Sequence, residues 1–78
     1  MKRVEIVSQL SEILEDIIDE GPVSLSDTTT ANDVPGWDSL TNIQLIVAIE
    51  KIMLIKFTSE EILLWKNVGD IVDCILTK

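Results

Sequence analysis

Few side chains in this 78-residue chain could do chemistry, and their spacing narrows the choice further. Ser39 stands in the run Pro35-Gly36-Trp37-Asp38-Ser39-Leu40, where a Pro-Gly turn leads into a helical pattern. Cys74 is the single cysteine, and histidine is absent. A hydroxyl or thiol nucleophile needs a base within reach, so the usual nucleophile–base pairs cannot be assembled. Zinc, which favours Cys and His ligands, has no ligand set here. The three glycines are isolated and make no phosphate-cradling loop. Counting the acidic loop as a calcium loop from Asp27 puts Ala31 in the fifth place and Asn32 where glycine is required. The twelfth place holds Asp38, not Glu, so this is not an EF-hand. Neighbouring carboxylates such as Glu15 and Asp16 fall on a solvated helix face, where no catalytic role is needed. No metal site and no enzyme activity are expected. By position alone Ser39 is a helix cap, and Asp38 could also cap by accepting from the free N–H groups ahead of it.

Those residues must be positioned by a small helical framework. Hydrophobic residues are 46% of the chain, enough for a packed interior, and only Trp37, Phe57 and Trp65 are aromatic. A core of Ile, Leu and Val with helix formers dominating points to an all-α four-helix bundle, a single domain over residues 1–78. Three longer helices and one short one are expected, with a long loop between helices 1 and 2. At 100° per residue, Ile6, Val7, Leu10, Ile13, Leu14 and Ile17 share one face of a helix over Lys2–Asp19, and Gly21-Pro22 ends it. The connection from Glu20 to Asp38 is long and polar, and Val23, Leu25 and Val34 are its points of attachment to the core.

The second helix, Asp38 to Met53, carries two apolar stripes. Asn42, Ala48, Ile49 and Ile52 lie within about 60° of Leu45, the core face, whereas Leu40, Ile43 and Val47 lie nearly opposite. Either the helix is buried all round, or the second stripe is exposed and waits for a partner; in so small a domain the exposed stripe is favoured. Ser39 lies beside Ile43 on the same projection. Thr58 and Glu61 match a capping box for a short helix over Ser59–Trp65. Asn67 and Asp70 give a second cap signal for a last helix to Leu76, burying Val68, Ile71, Val72 and Ile75. Cys74 reads as a buried structural thiol.

Charge bounds the partners. Fourteen acidic and six basic residues give a net charge of −8, and from Val4 through Glu50 there are ten acids with no Lys or Arg. Such a field repels nucleic acid and anionic membrane and steers toward basic protein surfaces. One cysteine allows no internal disulfide, which fits a reducing, cytoplasmic setting. No secretion signal is visible, and the apolar run Leu45 to Ile49 is too short to span a bilayer. A monomer is expected.

Pro35-Gly36-Trp37-Asp38-Ser39-Leu40, preceded by an acidic loop and followed by Ile43, Leu45, Ile46 and Glu50, resembles the prosthetic-group site of acyl carrier proteins. The resemblance continues through Ile55-Lys56-Phe57-Thr58 and Val68-Gly69-Asp70-Ile71-Val72 and so covers nearly the whole chain. It implies that a phosphopantetheinyl transferase attaches 4′-phosphopantetheine, taken from coenzyme A, covalently to Ser39. Acyl intermediates would then ride as thioesters on the arm and be presented to loading and transferring enzymes with basic docking surfaces. Asp38, Leu40, Ile43, Val47 and Glu50 correspond to partner-facing positions, and Leu45, Ile49 and Ile52 either line a cargo cleft or simply fill the core. The sequence departs from carriers of bacterial fatty acid synthesis in having Thr41, Asn42, Gln44 and Lys51 where acids are usual, and in the bulk of Trp37. Polyketide or other secondary-metabolite and surface-polysaccharide pathways therefore stand beside fatty acid synthesis. The alternatives are an acidic helical adaptor in which Ser39 only caps, or a peptidyl- or aminoacyl-carrier-like interaction module.

Overall fold

The computed structural model describes residues 2–19 and 21–78; Met1 and Glu20, the first residue of the predicted long connection, lie outside the described residues. All regular elements among those residues are helical, in the order α1 (Arg3–Ile18), a 3-10 turn (Ala31–Asp33), α2 (Ser39–Met53), α3 (Ser59–Leu63) and α4 (Val68–Leu76). The fold is the four-helix arrangement expected, with one short helix.

Helix α1 packs along both α2 and α4. Ile6, Leu10, Ile13 and Leu14 are buried in that seam, and Val7 and Ile17 pack half-buried against it. From α2 come Leu45 and Ile49, and from α4 come Val68, Ile71, Val72 and Ile75. Each such side chain contributes about 1.5–3 kcal/mol through removal from water, which is what holds helices of 9 to 16 residues in place. Glu15, expected on the solvated face of α1, departs from that expectation. Glu15 is half-buried, and its Oε1 accepts from the backbone N–H of Val23 at 2.9 Å, tying the helix to the loop after it.

Asp19 ends α1 in the left-handed region (φ 56°), where its N–H still reaches the Glu15 carbonyl at 2.8 Å. The loop then runs back over the bundle. Val34 is buried and Val23 and Leu25 are half-buried against the core, the anchoring their types suggest. Two backbone bonds lock the loop to α4: Val68 N–H donates to the Thr29 carbonyl and Gly69 N–H to the Asp27 carbonyl, each at 2.8 Å. A Cβ at position 69 would lie 2.9 Å from that Asp27 oxygen, so glycine is what permits the approach. Arg3 adds side-chain ion pairs to Asp73 and, at 3.2 Å, to Asp27.

The other helix starts follow their cap signals. Thr58 Oγ1 accepts from Glu61 N–H at 3.1 Å, and Glu61 Oε1 accepts from Thr58 N–H at 2.8 Å. Helix α3 is shorter than predicted, ending at Leu63, because Leu64 and Trp65 N–H groups turn to the Glu61 and Ile62 carbonyls, a tighter i→i+3 pattern. Trp65 then packs edge-on to Phe57 with ring centres 4.9 Å apart. Asn67 Oδ1 accepts from Asp70 N–H at 2.9 Å and starts α4.

Candidate functional site

The chain enters α2 through a tightly specified turn. The Trp37 N–H donates to the Val34 carbonyl at 3.1 Å, closing Val34-Pro35-Gly36-Trp37. Proline presets its own φ, and Gly36 supplies the positive φ of 89° that the next position of such a turn demands. Trp37 folds inward and is only 8% exposed, and its indole N–H donates to Asn42 Oδ1 at 3.1 Å.

Asp38 then caps the helix. Its Oδ1 accepts from Thr41 N–H at 2.9 Å, while Thr41 Oγ1 accepts from Asp38 N–H at 2.8 Å. The Thr41 hydroxyl also reaches the Gly36 carbonyl at 2.9 Å, stitching turn to helix. Hydrogen bonding, first of all from the Thr41 backbone, holds the Asp38 carboxyl below its ordinary range. The cap is therefore Asp38. Ser39, the first helical residue, is exposed, and its hydroxyl has no hydrogen-bond partner among the described residues. The simple-cap reading of Ser39 is not what the structure shows.

Downstream on α2, the two stripes separate cleanly. Leu45 and Ile49 are at most 1% exposed, whereas Leu40, Ile43 and Val47 are 56–65% exposed. The helix is not buried all round; its outer stripe faces solvent next to Ser39. Ile52, placed on the core face by its angle, is instead 57% exposed. It lies in the last turn, beyond Ile49, and Met53 rather than Ile52 packs half-buried against the core. Glu50 is half-buried, and its Oε2 accepts from Phe57 N–H at 2.9 Å, fixing the connection to α3. Asp38 and the apolar stripe thus lie together on the outward side of α2, while Glu50 lies at its far end with one carboxylate oxygen engaged.

Beside Ser39 a cleft of about 340 Å³ opens, bordered by Trp37, Asn42, Trp65, Lys66 and Asn67, with buried Ile71 at its base. Sequence reasoning missed this cleft and the Trp37–Asn42 bond that forms part of it. The signal that could have found it was Asn42, a carboxamide on an otherwise apolar face that needed a polar partner. Cys74 is half-buried rather than sealed; its thiol lies 3.4 Å from Glu61 Oε2, and burial pushes its pKa up. That is the opposite of an activated thiol. No cluster of three or more potential metal ligands occurs among the described residues, and none of their helices is long and apolar enough to cross a membrane.

Comparison with known proteins adds three findings. The family described as "Phosphopantetheine attachment site" matches residues 8–75. A solution NMR structure of a holo acyl carrier protein from Geobacter metallireducens superposes with a TM-score of 0.84. It shares 38% identity, over 92% of this chain and 83% of that one. No curated protein gives a significant match.

Proposed function

Because this chain belongs to the phosphopantetheine-binding acyl carrier proteins, we propose that Ser39 is the residue that bears the arm. The family is one of carriers, not catalysts, and its members hold phosphopantetheine covalently. The observation that carries the assignment is the state of the Ser39 hydroxyl. It is exposed, it is unengaged among the described residues, and it is fixed at the first turn of a 15-residue helix. A tether must start from a defined point, yet its oxygen must be open to a modifying enzyme. The Pro35-Gly36 turn, the Trp37 anchor and the Asp38–Thr41 box supply the first condition by holding the backbone on both sides of Ser39. Taking the cap role away from Ser39 supplies the second.

The residues around Ser39 fit the group. The N-terminal N–H groups of α2 and the positive end of its dipole favour a phosphodiester placed there. The adjoining cleft has room for part of a flexible arm. When bound, the arm supplies a terminal thiol that carries acyl groups as reactive thioesters, chemistry this histidine-free chain lacks. The protein's own task is then presentation. Leu40, Ile43 and Val47 form an apolar contact strip leading away from Ser39, with Asp38 at its start and Glu50 at its far end. The acid-rich segment from Val4 through Glu50 steers that strip toward basic enzyme surfaces, first the phosphopantetheinyl transferase, then acyl-loading and acyl-transferring enzymes. We place the carrier in the cytoplasm, as a single-domain monomer.

Intact-mass measurement tests the proposal. The purified chain is incubated with coenzyme A, magnesium and a promiscuous phosphopantetheinyl transferase, with a known carrier as control. The wild type is expected to gain one phosphopantetheine, and Ser39→Ala to fold with an unchanged circular dichroism spectrum and gain nothing. An unmodified wild type beside a modified control, or a modified Ser39→Ala, overturns the assignment.

A further inference from the structure

The cleft beside Ser39 has two features that bear on what kind of cargo it can shelter. The first is its inner wall. Asn42 stands one turn before Leu45 and two before Ile49 on the inward face of α2, so it lies between Ser39 and the buried interior on that side. Trp37 fills the same place from the preceding turn, is packed into the core cluster, and is bonded through its indole N–H to Asn42. An alkyl chain running from Ser39 toward Leu45 and Ile49 would have to displace a buried indole and break that bond, leaving two polar groups without partners. The interior is closed at this mouth.

The second feature is the chemistry of the cleft's border. Asn42 Oδ1 is committed to the Trp37 indole and Asn67 Oδ1 to the Asp70 backbone N–H. Those bonds fix which way each carboxamide faces, so the remaining group on each is an NH₂ donor. Lys66 borders the same cleft, and its ammonium pairs with no carboxylate among the described residues. Asp38 lines the cleft beside Ser39 as its one carboxylate, and the apolar side chains there, Ala31, Trp37, Ile62, Trp65 and Ile71, are interrupted by these polar groups. The cleft thus offers donors to uncharged oxygen acceptors and lacks the continuous apolar lining an alkyl chain needs.

From these features we infer that the cargo of this carrier is a short acyl group bearing uncharged oxygen functions, hydroxyl or oxo. It is held in the open cleft, and the Trp37–Asn42 pair keeps alkyl chains out of the bundle. The inference rests on Ser39 as the attachment point. It makes Trp37 and Asn42 specificity-determining residues and Lys66 and Asn67 positioning residues for the cargo.

The test loads the chain from octanoyl-coenzyme A and from 3-hydroxybutyryl-coenzyme A with a promiscuous transferase, each product confirmed by mass. Failure of either donor to modify the chain while a control carrier loads counts against the Ser39 reading, and is distinguishable from a failure of the cargo inference, which needs a loaded chain. In the loaded wild type, hydroxybutyryl is expected to shift the side-chain N–H signals of Asn42 and Asn67 in ¹⁵N spectra. Octanoyl is expected to leave the Leu45 and Ile49 methyl signals in place, and its thioester to react with hydroxylamine within about twofold of free octanoyl-coenzyme A. Opening the mouth with Trp37→Leu should slow that cleavage about tenfold by admitting the chain to the interior. Asn42→Ala, which leaves the indole in place but unlatched, gives the same direction should Trp37→Leu unfold. Strong protection of the octanoyl thioester in the wild type, contacts between its chain and Leu45 or Ile49, or unmoved Asn42 and Asn67 signals with hydroxybutyryl would each overturn the inference. So would cleavage rates in both folded variants equal to the wild type's.

Discussion

Helices α2 and α4 make an instructive pair. Helix α4 has nine residues and buries five of them, Val68, Gly69, Ile71, Val72 and Ile75. Helix α2 has fifteen, is comparably apolar, and buries only Leu45 and Ile49. Hydrophobic residues in α4 are spent on cohesion, while in α2 Leu40, Ile43 and Val47 are left at the surface in a row beginning beside Ser39. Monomeric proteins rarely leave an aligned apolar strip uncovered without an interaction to serve. On the function proposed, the difference separates a helix that holds the bundle together from one left open to be met by other proteins.

That contrast can be broken by mutation. Leu45→Ala and Val72→Ala remove fully buried side chains, and each should cost about 2–5 kcal/mol in urea denaturation. Ile43→Ala, with the same kind of truncation on the outer stripe, should stay within about 0.5 kcal/mol of the wild type. It should nonetheless lower the transferase's kcat/KM for this carrier. Equal destabilisation at the two faces would end the distinction.

The ends of the two helices sharpen it. Asp38→Ala should destabilise by about 0.5–2 kcal/mol through loss of the cap, and Asn67→Ala by a comparable amount. Only the first should also slow modification, because only the first loosens the backbone that fixes Ser39. At the other terminus, α4 ends in ordinary helical backbone, whereas α2 ends on Leu54 at φ 57°, 89% exposed. A leucine gains nothing by burial there and is held where L-residues are strained. Leu54→Gly should therefore raise stability by up to about 1 kcal/mol, read as an increase in Tm.

The smallest effect is that of acid. Lys78, bonded at 2.8 and 2.9 Å, holds the Glu61 carboxyl at about 2, well below its usual range. A depressed carboxyl contributes stability above its unfolded-state pKa and loses it as pH falls from the ordinary carboxylate range toward about 2. Glu61→Gln should flatten the dependence of Tm on pH over that window and leave it unchanged near neutrality. The pair fastens α3 to the end of α4 and lies far in sequence from Ser39, so modification should be indifferent to it.

Much of this was legible in the residues. The helices announced themselves by apolar spacing and by their caps, since Asp38, Thr58 and Asn67 each start a helix through the side chain that the pattern nominates. The double stripe of α2 was visible as angles, and the small size of the domain favoured exposure of the second stripe, but that nothing else covers it was a tertiary fact. Periodicity alone cannot supply it, and the misplaced Ile52 shows why: its angle is right for the core, but it lies past the last buried position on that face. The end of α3 before Trp65 turned on a local tightening of hydrogen bonds that no composition signals. Trp37 could be seen as bulky for its place. That it would turn inward and latch onto Asn42 depended on a cleft assembled from three separate stretches of chain.

The backbone clasp between the long loop and α4 carries a consequence for how the molecule comes together. The first two amides of that last helix find their acceptors in Thr29 and Asp27, not in anything nearby. A C-terminal fragment alone would therefore lack those partners for its opening turn, however well its apolar face is patterned. The native opening turn of α4 is thus completed by a stretch of coil from the first half of the chain, and the two halves are expected to order together. Slowly exchanging Val68 and Gly69 amides would be its record.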